Sequence, residues 1–195
     1  MALKNQYTTA DYIEWDAAMS LVRKLFRDGN YRMSLLIGCG CFFGLRYSDL
    51  KTLRWEQLLT SDSFVLCEQK TGKRREIRIN KSFQQHIQDC HDALRIKDDT
   101  QPCFLTRFGS VLSVQMANRH FKNLKVRYQV KVKNFSTHSL RKTFGRRVVE
   151  MAGSDAEMAL IKLSEIYNHS TPMVTRRYLG MRQEELGEVY NSLQF

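Results

Sequence analysis

Ser136-Thr137-His138-Ser139-Leu140-Arg141-Lys142-Thr143-Phe144-Gly145-Arg146-Arg147-Val148-Val149-Glu150-Met151-Ala152 is the stretch on which the fold turns. Leu140, Phe144, Val148 and Met151 recur along it at three- and four-residue intervals. The spacing predicts a helix from about Ser136 to Ala152 with those four residues as its core stripe. His138 and Arg141 lie three apart and so project together from one face of it.

Working outward, Ala117, Phe121, Leu124 and Tyr128 recur at helical spacing and predict a basic amphipathic helix from Val114 to Val130, joined by a loop over Lys131 to Ser136. Downstream, Gly153-Ser154-Asp155 separates the central helix from another that ends near Tyr167. Pro172 then opens a short helix carrying Tyr178, and Gln183 to Leu193 reads as a last polar helix. At the other end, Thr8 or Thr9 is placed to cap a helix from Ala10 to about Arg27, with Ile13, Ala17, Leu21 and Leu25 recurring every four residues; Asp28-Gly29-Asn30 ends it. The longest apolar run, Leu35 to Leu45, holds three glycines and is too short to cross a bilayer. It predicts a buried helix to about Phe43, with Gly44 as a tight break before Arg46. A short helix over Ser48 to Leu53 then sets Arg46 and Asp49 one turn apart. Ser63 to Gln69 and Arg74 to Ile79 alternate or run β-branched around Lys70-Thr71-Gly72-Lys73, a hairpin signal. Lys81 to Arg95 is helical and Asp98 to Pro102 a loop. The expected class is α+β, mainly α, with a small antiparallel sheet near residues 63–79.

With 195 residues and 43% hydrophobic content, one domain over 1–195 with a real core is the expectation. Met1 to Tyr12 is polar and lacks the apolar segment of a signal peptide. The five cysteines include no Cys-x-x-Cys pair and read as reduced, mostly buried thiols of a cytoplasmic protein. Cys90 and His91 have no second pair at zinc-ligand spacing, so no metal is expected; His86, His91 and His120 are expected on the surface.

The formal charge of +11 is concentrated. Thr100 to Val149 contains 11 Lys or Arg and no Asp or Glu, so the rest of the chain, with 20 of each sign, balances to zero. Because this stretch also carries helical apolar spacing, it should be folded rather than a solvated tail. A folded acid-free face points to an anionic polymer. Nucleic acid is favoured over membrane, since no helix here has an uninterrupted apolar face with aromatic anchors.

Five residues supply what is needed to break a phosphodiester on a tyrosine: Arg46 in Gly44-Leu45-Arg46-Tyr47-Ser48-Asp49-Leu50, His138 and Arg141 in Thr137-His138-Ser139-Leu140-Arg141, His169 in Asn168-His169-Ser170-Thr171-Pro172, and Tyr178 in Arg177-Tyr178-Leu179. The phosphate is already anionic and gains charge in the in-line transition state. Arg46 and Arg141 suit it because a guanidinium makes two hydrogen bonds to phosphate and keeps its proton; His169 is a third donor. Tyr178 is the candidate nucleophile, and His138 either accepts its proton or orients the phosphate. Lys70, in Glu68-Gln69-Lys70-Thr71-Gly72-Lys73, can protonate the leaving 5′-oxygen as a general acid, with Lys73 as the alternative. Asp49 is expected to buttress the site by hydrogen bonding. Lys73, Arg119, Lys122, Lys125, Arg127, Lys142, Arg176 and Arg177 are the candidates for DNA phosphate contacts, which give salt-sensitive affinity without sequence choice.

The order and spacing of these pieces resembles the catalytic domain of the tyrosine recombinases, the phage integrase family, from about Asp11 to the C-terminus. The resemblance implies a site-specific recombinase or integrase of a bacterium or its mobile DNA. It would form a 3′-phosphotyrosyl bond and a free 5′-hydroxyl and reverse the step without metal, ATP or other cofactor. The chain agrees, having no clustered carboxylates at two-metal spacing and no Gly-x-x-x-x-Gly-Lys loop. It also implies double-stranded DNA and sister protomers in a DNA-bound synaptic tetramer as partners, and a cytoplasmic, nucleoid-associated location. The family usually carries an N-terminal core-binding domain that closes around DNA, and only about ten residues precede the catalytic region here; if that clamp is missing from the protein, weak DNA affinity and a monomer without DNA are expected. The last helix is expected either on a neighbouring protomer or on its own core. Two rival readings share most of these residues: a type IB topoisomerase, and a DNA-binding protein that has kept the fold without the chemistry.

Overall fold

A helix with no polar face organises the molecule. The structure is a computed structural model that describes residues 10–60 and 62–192. In chain order the elements are α1 (Trp15–Arg27), α2 (Tyr31–Phe43), α3 (Tyr47–Leu50), α4 (Trp55–Leu58), β1 (Ser63–Cys67), β2 (Arg74–Arg78), α5 (Lys81–Leu94), α6 (Val114–Arg127), α7 (Thr137–Ala152), a 3-10 turn (Gly153–Asp155), α8 (Ala156–Tyr167), α9 (Pro172–Leu179) and α10 (Met181–Asn191). Met33 through Cys41 of α2 are all buried, because α1, α5 and α7 pack around it. Each fully buried Leu or Ile there stabilises the fold by roughly 1.5–3 kcal/mol. Phe42 of α2 stacks on Phe83 of α5 at 4.2 Å between ring centres, and Phe121 of α6 on Phe135 at 4.7 Å. No helix among the described residues is long and apolar enough to cross a membrane.

Gly44 ends α2 in the left-handed region at φ 57°. Its Cα faces the ring of Phe144 so closely that a Cβ would overlap it. Only glycine meets both demands, and the sharp turn it makes delivers Arg46 to the start of α3.

The mainly helical fold with a small sheet is what the sequence predicts. Strands β1 and β2 pair antiparallel in the register Ser63↔Arg78 to Cys67↔Arg74. Several boundaries differ. Helix α1 begins at Trp15 rather than Ala10, because residues 10–14 form an extended strap over α7: Ile13 donates its N–H to Thr143 Oγ1 and accepts that hydroxyl's proton at its carbonyl, both at 2.9 Å. The buried face of α1 is therefore Ala18, Leu21, Val22 and Leu25, and Ala17 is exposed. Thr8 and Thr9, the expected caps, lie outside the described residues, as does Leu193. Helix α6 stops at Arg127, where Tyr128 caps it and Gln129 turns to φ 52°.

On α7 the expected apolar stripe is only partly right. Leu140 is buried and Phe144 and Val148 are half-buried, but Met151 is 72% exposed because the last turn runs past the core. The buried set includes Ser139, Arg141, Thr143 and Val149, since neighbouring elements grip the helix from several sides. His86 and His91, expected on the surface, are half-buried. His86 Nε2 bonds the buried Ser34 Oγ at 3.0 Å, and His91 lies edge-on to Trp55 and bonds Asp99 at 2.8 Å; His120 is exposed. Helix α10 folds back on its own chain, where Glu184 meets Arg146 at 2.6 Å and Met181 joins the apolar cluster of Val149, Leu160, Leu163 and Leu179.

Candidate active site

The C-terminus of α8 is where the site converges. The last carbonyls of a helix lack intrahelical partners and carry the negative end of its dipole, so they attract cationic donors. Arg46 Nη2 and Arg141 Nη2 donate to the same oxygen, the backbone carbonyl of Tyr167, at 2.7 and 3.1 Å. Arg141 reaches it from α7 at 4% exposure, sends Nη1 to the Gly44 carbonyl at 2.6 Å, and lies over the Tyr167 ring at 4.0 Å. A third guanidinium, Arg75 of β2, donates to the Ile166 carbonyl at 3.2 Å.

Tyr167 itself is fully buried, and its hydroxyl donates to the Arg141 carbonyl at 2.5 Å. Asn168 follows in the left-handed region at φ 53° and caps α8, which turns the chain so that His169 N–H returns to the Ser164 carbonyl. The His169 ring then stands edge-on to Tyr167 and to Tyr178, 5.4 Å from each. Its Nδ1 is 3.0 Å from Thr175 Oγ1.

Tyr178 comes from α9, opened by Pro172 and capped by the Thr171 hydroxyl. Its hydroxyl is buried and has no hydrogen-bond partner among the described residues. Burial raises its pKa, with Arg141 and Arg46 pulling the other way. The Lys142 ammonium sits 5.4 Å from the Tyr178 ring centre, and burial lowers its pKa. Both histidines are held below the usual imidazole value: His138 by burial and then by Arg141 and Lys142, His169 by burial and then by Arg141, Arg46 and Lys70. Lys70 is exposed on the hairpin turn.

The hairpin turn is fastened to α3 by two carboxylates. Asp49, 1% exposed, accepts the Gln69 N–H at 2.9 Å, so it holds the Lys70 turn rather than Arg46. Glu68 accepts from Arg46 Nη1 at 2.9 Å and Thr71 Oγ1 at 2.8 Å. Burial alone would raise the Glu68 pKa, but the Thr71 hydrogen bond and the Arg46 and Arg75 charges hold it below the usual value. Lys73 Nζ donates to Asn168 Oδ1 at 2.8 Å and pins the hairpin to the α8 cap.

A basic groove of about 1030 Å³ leads to this cluster, with Lys122, Lys125, His138, Lys142, Arg177 and Tyr178 in its walls. Arg46, His138, Arg141, His169 and Tyr178 thus gather at the α8 terminus or the groove beside it, and Lys70 stands exposed on the hairpin turn that Asp49 and Glu68 hold. Of the other basic candidates, Lys122, Lys125, Lys142 and Arg177 line the groove. Arg119 is exposed on α6 outside its lining. Arg127 packs 5.5 Å from the Tyr128 ring, whose hydroxyl bonds Asp28, and Arg176 is paired with Glu157 and Glu185 at 2.5 and 3.3 Å. Sequence reasoning missed Glu68, Arg75 and Tyr167. Glu68 and Arg75 flank the hairpin lysine, and the burial alternation of β2 would have pointed Arg75 inward.

Comparisons with known proteins show the family of this chain. Residues 16–185 match the model of the phage integrase family. A probable integrase/recombinase, YoeC of Bacillus subtilis, is 28% identical over 87% of this chain and 88% of its own length. The tyrosine recombinase XerC of Xanthomonas axonopodis is 26% identical over 76% of this chain, which spans 47% of that protein. Among solved structures, XerA recombinase superposes with a TM-score of 0.72 at 19% identity over 96% of this chain and 67% of its own, and the catalytic domain of bacteriophage HP1 integrase with 0.57 at 19% identity over 87% and 86%. The chain belongs to the phage integrase family, the tyrosine recombinases that cut and reseal DNA strands.

Proposed function

We propose that this chain binds double-stranded DNA in the groove beside α6 and α7 and cleaves it at specific sites through a covalent bond to Tyr178. The observation that carries this is the shared carbonyl: two guanidinium groups from α3 and α7 meet at Tyr167 O, beside the aromatic pair of His169 and Tyr178. A phosphodiester seated against them would meet preorganised donors, each worth roughly 3 to 4 kcal/mol to the transition state.

In this reading Arg46 and Arg141 hold the nonbridging oxygens. The Thr175 hydroxyl donates to His169 Nδ1, which leaves Nε2–H to donate to the phosphate. The Tyr178 hydroxyl, buried and unpartnered, must swing into the groove before it can attack, with His138 taking its proton or orienting the phosphate. Lys70 protonates the departing 5′-oxygen. The product is a 3′-phosphotyrosyl bond, reversed when a 5′-hydroxyl attacks it. XerH and the Tn1549 integrase have been solved with their DNA, which supports the same partner here. Exchange of strands between two duplexes needs four nucleophiles, so we place the chain in a synaptic tetramer of sister protomers on bacterial DNA.

The test is to mix the protein with a pool of nicked duplexes and recover adducts that survive SDS. The expected adduct sits on Tyr178, carries one preferred site, and vanishes in Tyr178→Phe. An adduct on another residue, or relaxation of any supercoiled plasmid without site preference, would overturn the reading.

A further inference from the structure

Glu68 is a buried carboxylate, 4% exposed, at the end of β1, and none of the roles above uses it. One oxygen, Oε2, accepts from Arg46 Nη1 at 2.9 Å and from Thr71 Oγ1 at 2.8 Å, so a single atom joins the phosphate-binding arginine to the turn that carries Lys70. Its other oxygen lies 3.9 Å from Arg75 Nη1. The Glu68 backbone closes the same turn, accepting Gly72 N–H at 2.8 Å and donating to the Lys73 carbonyl at 2.9 Å. Residues 69–72 are therefore a loop whose two ends and whose Thr71 side chain are all held by Glu68. Lys70 is exposed and its own side chain has no such restraint among the described residues.

We propose that Glu68 is a positioning residue that couples the two ends of the reaction, setting Arg46 against the phosphate and the Lys70 turn against the leaving oxygen. The proposal rests on the recombinase reading. Its physical basis is that a carboxylate makes charge-assisted bonds to both partners at once, whereas the amide oxygen of a glutamine accepts the same two bonds without the charge and turns its NH2 toward the Arg75 guanidinium, so that both are weakened together. Loss of the charge frees Arg46 and slackens the turn together. A displacement of about 1 Å in a catalytic group is enough to cost about a hundredfold in rate.

A change of leaving group separates the two halves. If the bridging 5′-oxygen of the scissile phosphate is replaced by sulfur, the leaving group departs as a thiolate and needs no proton from Lys70. Single-turnover cleavage is then compared on oxygen and sulfur duplexes. Glu68→Gln should lose about a hundredfold on oxygen and only about tenfold on sulfur, the remainder being the Arg46 share. Thr71→Val, which cuts only the link to the turn, should be slow on oxygen and match wild type on sulfur. Glu68→Asp, which keeps the charge, should recover part of the rate. Wild-type rates for Glu68→Gln on oxygen, or an equal loss on both duplexes for Glu68→Gln and Thr71→Val alike, would overturn the coupling. If Glu68→Gln does not fold by thermal melt, the Thr71→Val comparison decides alone. Failure of the wild type to form an adduct on either duplex would strike instead at the recombinase reading.

Discussion

Arg141 is fixed by two backbone carbonyls and Arg46 by one carbonyl and the Glu68 carboxylate, and that choice has a consequence for substitution. A lysine at either place keeps the charge but has one point of contact where the guanidinium has a planar fork. Arg141→Lys would leave the Gly44 or the Tyr167 carbonyl without its donor, and Arg46→Lys would break either the Glu68 or the Tyr167 bond. We expect single-turnover cleavage to fall about 10²–10³-fold in each, with DNA affinity changed only a few-fold, as measured by adduct formation and by titration of labelled duplex. The two histidines make a second prediction. Both have pKa values below the ordinary imidazole value, because burial and the neighbouring cations oppose a further positive charge. The unfolded chain, with histidines near 6.5, therefore takes up protons before the fold does, and stability without DNA should fall as pH drops below about 6.5. A bound phosphodiester reverses the local sign, so DNA affinity should rise over the same interval. Melting temperatures between pH 7.5 and 5.5 should decline less steeply for the His138→Gln, His169→Gln double variant than for wild type; parallel curves would contradict the assignment.

Among elements, the joint between α7 and the α8–α9 pair matters most, because it holds Arg141, Tyr167, His169 and Tyr178 in one frame. Gly145 is its closest point: a Cβ there would meet Tyr167 Oη at 2.6 Å and Leu179 Cδ2 at 2.7 Å. Gly145→Ala should cost about 1–3 kcal/mol from overpacking, and each kcal/mol should lower the melting temperature by about 2–4 °C. Because Tyr167 Oη also holds the Arg141 carbonyl, cleavage should fall further than the melt alone explains, which a rate measured well below the melting temperature will show. This joint was half legible in the sequence. The hairpin, the α2 to Gly44 break and the Pro172 start are local signals of alternation, apolar run and capping, and they stand where the pattern puts them. What was not legible is tertiary. Ile13 fits a helical period yet lies in a strap because Thr143, 130 positions away, satisfies its backbone. Tyr167 contributes a main-chain oxygen, which no residue code reveals, and Glu68 gains its meaning only when Arg46 is folded against it. Arg176 and Arg177 are neighbours of one residue type in sequence, but helical geometry turns one to Glu157 and the other to the groove.

That divergence can be tested on the scale of the whole molecule, where the excess charge of +11 is arranged rather than spread. The acid-free segment folds into α6, its loop and α7, and the groove between these and α9 gathers Lys122, Lys125, Lys142 and Arg177 beside the tyrosine. Binding to DNA through such a groove releases one condensed counterion for each phosphate neutralised, so affinity falls linearly with salt on logarithmic axes, with a slope near −0.9 per contact. If Lys122, Lys125 and Arg177 each meet a phosphate, alanine at any one of them should weaken binding to all sequences alike and reduce the slope by about one. Arg176→Ala provides the contrast. Its guanidinium is already neutralised by Glu157 of α8 and Glu185 of α10, so its removal should leave the salt slope unchanged and instead loosen the clasp between α9 and its neighbours, read as a lower melting temperature. Fluorescence anisotropy with a labelled duplex from 50 to 300 mM salt distinguishes the two classes. A slope that changed for Arg176→Ala and not for Arg177→Ala would mean that DNA approaches over the α8–α10 side, away from the two arginines that meet at Tyr167, and the groove would lose its claim to be the path to the nucleophile.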